Sequence, residues 1–347
     1  GSGEFYHGMR VFNERILETP SVKLGPRFGF AYDLLGDGKN VLRGGFGLFF
    51  DRFNDDQVLQ LVEAPPLVNT AQVIYTTIRQ LLSQPLNFSP PGVFAMQRSY
   101  DPPTVYNWSL GVQRALGRGL VADVAYVGNV GRHLLHRRSL NATPYGTNFL
   151  PSSIDRTVTG NRPLPVNFLR PIQGFADIQY IEMASTSNYH SLQTQVNRRF
   201  GRSLTFGAVW TWSKAMDLVD GNNNAVNPFL DFRARNYGKA SFDRTHNAAF
   251  HFSYSAPQFS RKWNNGFARW ALDGWELSGY TSFLSGQPLG IGVGYLQSVD
   301  ITGASGAGVD SRVDLTGDPN LPRGERTELR HFRTEVVRPP DRASFGI

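Results

Sequence analysis

Cysteine is absent from the 347 residues. That excludes disulfide frameworks, cysteine-ligated zinc or iron–sulfur centres, and thiol nucleophiles. Charge is scarce: 18% of residues are Asp, Glu, Lys or Arg, below the ~25% of an ordinary soluble domain. No run approaches the ~18 apolar residues of a transmembrane helix, and the mean hydropathy is −0.31. A helical membrane protein is thereby excluded. A membrane β-barrel is not, because alternating strands average to a modest hydropathy. The opening GSGEFYHGMR has no apolar core for a secretory signal, so the expectation is a mature chain or a piece of one.

Aromatics are plentiful at 13%, and they fall in period-two stretches. Tyr106, Trp108, Leu110 and Val112 alternate with Asn107, Ser109, Gly111 and Gln113. Leu116-Gly117-Arg118-Gly119 supplies a turn into Leu120, Ala122, Val124 and Tyr126, with Asp123 opposite. The pattern recurs. Phe28, Phe30 and Tyr32 lead through Gly36-Asp37-Gly38-Lys39 into Leu42, Gly44, Phe46, Leu48 and Phe50. Leu192, Thr194 and Val196 lead through Phe200-Gly201-Arg202-Ser203 into Leu204, Phe206, Ala208, Trp210 and Trp212. Ala248, Phe250, Phe252 and Tyr254 precede a longer connection, 256–273, into Trp275, Leu277, Gly279, Thr281 and Phe283. These are eight strands in four hairpins, each near the ~9–11 residues that cross a bilayer core when tilted.

Three hairpin turns are short. The other connections, roughly 51–103, 128–188, 214–241 and all after 286, are long. Short turns at one end and long loops at the other describe an outer-membrane barrel. The fold expected is all-β: an antiparallel up-and-down transmembrane barrel, partial, with about 8–10 strands of a larger one. The polar faces hold Ser, Thr, Asn, Gln and Gly, almost without Lys, whereas a sandwich carries Lys and Glu outside. Residues 1–20 read as an N-terminal loop or as foreign to the natural chain, 21–295 as strands and loops, and 296–347 as an irregular tail ending before the final strands. Ile74, Ile78, Leu81 and Leu82 after Thr70 predict a short amphipathic helix. Ala176, Ile178 and Tyr180 predict an outer strand segment, interrupted by ASTSN before Tyr189.

Asn107, Gln113, Asp123, Gln193, Gln195, His251 and Glu276 are the candidates to line a lumen. Tyr106, Trp108, Tyr126, Trp210, Trp212, Tyr254 and Trp275 are the candidates for a belt at headgroup level. Small residues on the polar face, among them Gly45, Gly47, Gly111 and Gly207, leave space. They predict an open, wide wall in which strand 27–33 does not pair with the strand after 274.

Motifs for chemistry are few. His133-Leu134-Leu135-His136 has no carboxylate nearby in sequence and reads as a strand end or loop base. Gly38-Lys39 lacks the glycine spacing and the helix of a phosphate loop. Asp217, Asp220 and Asn222, with Asn223 and Asn224, make an oxygen-rich loop of the kind hard cations accept. Without EF-hand order, the default is a solvated loop. No GxSxG or HExxH is present, so no catalytic residue, enzyme activity or cofactor is expected. The arginines of the tail, Arg323 to Arg342, have only Phe332 among them, which argues against nucleic acid. Lipopolysaccharide contact suits them better.

Five segments carry a family resemblance: LGPRFGFAYDLLGDGKNVLRGGFGLFFDRF, YNWSLGVQRALGRGLVADVAYVGNVGRHLL, SNYHSLQTQVNRRFGRSLTFGAVWTWSKAMD, FDRTHNAAFHFSYSAP and LDGWELSGYTSFLSGQPL. In this order they resemble the barrel of Oar-like TonB-dependent receptors of Gram-negative bacteria, from about Gly25 to Asp318-Pro319-Asn320-Leu321-Pro322. The resemblance implies an internal piece of a barrel of about 22 strands. It also implies outer-membrane lipid and lipopolysaccharide around the wall, and active uptake of an unidentified nutrient. Energy would come from an inner-membrane TonB complex, acting through a plug not present in this chain. A passive pore or structural outer-membrane protein is the alternative, and a soluble β-rich adhesion or carbohydrate-binding module is a third.

Overall fold

The computed structural model describes residues 17–18, 21–52, 55–63, 65, 68, 77, 79–80, 89–200, 203–262, 266–293 and 300–346. The strands are β1 (Arg27–Asp33), β2 (Asn40–Phe50), β3 (Val93–Met96), β4 (Thr104–Gly117), β5 (Leu120–Ser139), β6 (Ile178–Phe200), β7 (Leu204–Asp217), β8 (Ala225–Val226), β9 (Gly238–Lys239), β10 (His246–Ser255), β11 (Glu276–Leu284), β12 (Asp314–Leu315) and β13 (Val337–Arg338). The helices are short: α1 (Asp55–Val62), α2 (Val166–Leu169), α3 (Phe232–Asn236) and α4 (Gly266–Leu272). None is long and apolar enough to cross a membrane.

The main sheet runs in the order β1-β2-β4-β5-β6-β7-β10-β11. Every neighbour in that order is antiparallel. These are the eight strands expected from alternation, laid side by side in sequence order. Among the described residues no ladder joins β1 to β11, so the sheet is open at both edges. The β4–β5 turn uses three successive left-handed residues, Gly117, Arg118 and Gly119. Glycine adopts that conformation without a Cβ clash, which suits the LGRG sequence to the turn. In the β1–β2 turn the Asp33 carboxylate accepts from the amide of Gly38 at 2.6 Å.

Residues paired directly across strands share a face, so the register sorts the whole sheet. One row runs Leu42–Val112–Val124–Thr194–Trp210–Ala248–Phe283. Its counterpart on the other face runs Val41–Gln113–Asp123–Gln195–Val209–Ala249–Ser282. Phe206 therefore lies opposite Gln195 in facing, as the period of two requires. Among the described residues nothing covers the apolar face: Phe28 is 67% exposed, Trp212 53% and Leu277 63%. An apolar surface of that extent calls for a covering partner.

Strand lengths are unequal. β10 and β11 have ten and nine residues, whereas β5 and β6 have 20 and 23. Rising ~3.4 Å per residue, β6 outruns β10 by roughly 40 Å. The inner ends are level, with Phe200 against Leu204 and Leu204 against Tyr254, so the surplus projects from the outer end. The interruption expected at ASTSN is absent. Ser185 and Ser187 pair with Leu134 and Gly131 across a bulge in β5, where small side chains are what fits. The projecting part pairs with β3 and β8 and holds a small core of Leu135, Ile181 and Met183, with Leu17, Met96 and Tyr100 against it.

Long connections cover this projection. Residues of the tail expected to be irregular fold back onto it. Thr143 donates its amide to Ser305, and the amide of Ala307 reaches the Asp177 carboxylate at 2.9 Å. The only strands among the described tail residues are the two-residue β12 and β13. In the 51–103 connection, α1 forms at Asp55–Val62, a stretch for which no helix was anticipated. The helix expected after Thr70, with Ile74, Ile78, Leu81 and Leu82, lies outside the described residues.

Candidate functional site

All seven lumen candidates sit on the polar face. Asn107 pairs with Asn129, whose amide donates to the Asn107 carbonyl. Gln113, Asp123 and Gln195 form the row given above, and Gln193 stands between Ala125 and Thr211. His251 opposes Gly207 on one side and Tyr280 on the other. Gly207 is what makes room there. A Cβ on it would lie 2.3 Å from His251 Cε1 and 2.7 Å from Asn197 Oδ1, so the imidazole and the amide lie over bare backbone. Glu276, opposite Ser255, accepts from the Ser253 hydroxyl at 2.6 Å.

Gly45 and Gly47 similarly open a shallow concavity of about 310 Å³, bordered by Arg27, Phe49, Asn107 and Ser109. The Arg27 guanidinium lies 4.6 Å over the Phe49 ring. The polar face is thus hydrogen-bonding, nearly neutral and uncrowded. It can hold water and polar solutes.

Six belt candidates, Tyr106, Trp108, Tyr126, Trp210, Trp212 and Tyr254, lie on the apolar face. Trp275 stands one residue before β11, its indole N–H donating to the Ala271 carbonyl at 2.8 Å. Trp212 pairs with His246, and Tyr254 is eight residues further along the same strand. That separation is ~27 Å of strand, or about 20 Å of height at a 45° tilt, close to the ~25 Å apolar band of an outer-membrane barrel.

The oxygen-rich loop does not converge. Asp220 accepts from the amide of Ser241 at 2.9 Å, and Asn223 turns to Gln57 and Arg137. Among the described residues no three His, Asp or Glu side chains gather to hold a metal. Asp217 lies five residues beyond Trp212, outside the apolar band. Burial, and then the neighbouring Asp220 carboxylate, push it up to about 6.

The best-packed polar groups are in the outer projection. Arg137 stacks over Phe94 and donates to Gln60 at 2.5 Å and Gln179 at 3.2 Å, and also to Asn223. It ties α1 and the 214–241 connection to β5. His136 is fully buried beside Phe232, with Glu182 3.7 Å away. Burial works to raise the Glu182 carboxyl, but the nearby His136 imidazole and the hydrogen bond from Arg138 Nε at 2.5 Å hold it below its ordinary range. Asn141 spans Ile172, Phe175 and Ala176 through its amide. Of these, sequence reasoning singled out only the HLLHRR stretch. The partners stand roughly 30 to 100 residues away, and no local pattern points to them.

An open antiparallel wall, apolar and uncovered on one face and polar on the other, with short turns inside and long folded connections outside, is the architecture of an outer-membrane barrel. A family match bears this out: residues 3–347 fit the outer membrane beta barrel domain. The chain belongs to that family and to the bacterial outer membrane, which sets aside the soluble-module reading. No curated protein matches the sequence. Among solved structures it is similar to the outer membrane transporter YddB from Escherichia coli, at 12% identity and TM-score 0.42, over 67% of this chain and 26% of that one. It is also similar to the FrpB iron transporter from Neisseria meningitidis, at 11% and 0.35, over 69% and 25%. The siderophore receptor PirA from Pseudomonas aeruginosa gives 12% and 0.30, over 75% and 42%. The chain thus spans about a quarter of the first two. The assignment rests on the family match.

Proposed function

We propose that this chain is part of the barrel wall of an Oar-like, TonB-dependent receptor that binds a nutrient outside the cell and takes it up actively. The observation that carries the reading is the union of two features in one wall. The polar face is lined by small residues, Gly45, Gly47, Gly111, Gly207 and Ser253 among them, and is too bare to fill a closed eight-stranded interior. Above it rises a folded projection fastened by Arg137, Asn141 and Asp177, built to hold its shape where a ligand first arrives. A wide wall of that kind has room for a plug, through which the inner-membrane TonB complex would act. The chain's own side chains carry no catalysis in this reading: they line, bind and orient.

The test is uptake in the source bacterium grown on limiting nutrients. Deletion of the gene should abolish uptake of one nutrient class, and deletion of tonB should abolish the same uptake. If the purified protein instead conducts ions through planar bilayers, and uptake survives loss of tonB, it is a passive pore.

A further inference from the structure

We propose that His190, Lys214 and Lys239 form a binding site for the phosphorylated sugar headgroup of an outer-leaflet glycolipid. The site lies on the outside of the wall. It rests on the apolar face being the lipid face, and not on what the barrel carries.

Two neighbouring rungs of the apolar face build it. The inner rung runs Trp108–Gly128–His190–Lys214 across β4 to β7. The outer rung runs Tyr106–Val130–Asn188–Met216–Lys239. Gly128 is the device that shapes the inner rung. A Cβ there would meet the Trp108 ring at 2.3 Å, so the indole lies flat across β5 and reaches His190, with ring centroids 6.0 Å apart. On the other side Tyr126 stacks on the imidazole at 6.1 Å and 16°, and its hydroxyl lies 2.6 Å from Nδ1. The imidazole is thus positioned by two aromatic rings; with Nδ1 engaged by the Tyr126 hydroxyl, Nε2 is the nitrogen the proposed ligand would meet.

Charge complementarity decides the occupant. His190, Lys214 and Lys239 are all exposed, and neither rung carries a carboxylate. Two of the chain's five lysines stand here, on strands whose polar faces almost lack them. An ammonium group facing the acyl chains alone would be costly, and beside a phosphate at the interface it is favourable. Directly inward lie Trp212, Tyr126, Leu110 and Val124, exposed and apolar, where acyl chains of the same molecule would pack. A free phosphate would have no use for that floor. The outer end of the wall, where the long connections lie, selects the outer leaflet.

The test is native mass spectrometry of the full-length chain in detergent micelles, with Kdo2-lipid A, its dephosphorylated form and phosphatidylglycerol as probes. Phosphorylated lipid A should bind in preference to both others. Removing one cation near the surface should weaken it roughly fivefold, and Lys214→Gln with Lys239→Gln together roughly twenty-five-fold. Lys214→Arg with Lys239→Arg should retain binding, and Lys39→Gln, in the turn at the other end, should change nothing. Heat-modifiable migration on gels certifies that each variant is folded. Equal binding of the dephosphorylated form or of phosphatidylglycerol, or unchanged binding in the folded double glutamine variant, would overturn the proposal.

Discussion

Ala208→Arg should be far more damaging than Thr211→Arg, although the two positions are three residues apart on one strand. Ala208 lies between Val196 and Phe250 on the apolar face; Thr211 lies between Gln193 and Asn247 on the polar one. Ala208 is four residues from the inner end of β7, which is ~14 Å of strand and about 10 Å of height at a 45° tilt. That is close to the middle of a ~25 Å band, where an arginine costs about 2–4 kcal/mol. The folded population should fall by roughly thirty- to a thousand-fold. Arginine at position 211 keeps its water and should cost under about 1 kcal/mol, the range of an ordinary surface substitution. Urea titrations of the full-length chain in short-chain lipid vesicles, followed by tryptophan fluorescence, measure both. Losses of equal size at the two positions would refute the two-faced wall and return a sheet buried on both sides.

Gly128→Ala should displace the Trp108 indole, shift the tryptophan emission and cost about 1–3 kcal/mol by overpacking. Arg137→Ala leaves the Gln60 and Gln179 carbonyls without their donor, while Asn223 keeps Gln57, so it should cost about 2 kcal/mol or more and open residues 55–63 to limited proteolysis. The Asp217 carboxyl is raised from 3.8 to about 6, so the folded state holds its proton more tightly than the unfolded one. Stability of the outer projection should fall as pH rises between those values, and Asp217→Asn should flatten the profile measured by hydrogen exchange. Glu182, held low by His136 and Arg138, acts in the opposite sense: Glu182→Gln should remove a loss of stability seen on acidification below its ordinary range.

Much of the wall was legible in the sequence because its determinants are local. Alternation of Tyr106, Trp108 and Leu110 against Asn107, Ser109 and Gln113 fixes the facing once the strand is recognised, and the glycines of LGRG and GDGKN mark the turns. The projection was not legible, because its contacts are long-range. Nothing near Arg137 announces Gln60 or Asn223, and ASTSN reads as a break until β5 is seen to bulge beside it. The rim of His190 and Lys214 was hidden for a related reason. Each residue looks like an ordinary polar residue on its own strand, and only the register of four strands sets them in one row with Trp108 and Gly128.

The absence of cysteine makes the central claim directly measurable. Single cysteines placed in turn from Thr205 to Thr211 on β7 and spin-labelled in bilayers report oxygen and water-soluble nickel-chelate collisions site by site. The two-faced membrane wall predicts strict alternation, with oxygen favoured at Phe206, Ala208 and Trp210 and the nickel chelate at Thr205, Gly207, Val209 and Thr211. A profile without the period of two, or the reverse assignment of faces, would contradict it.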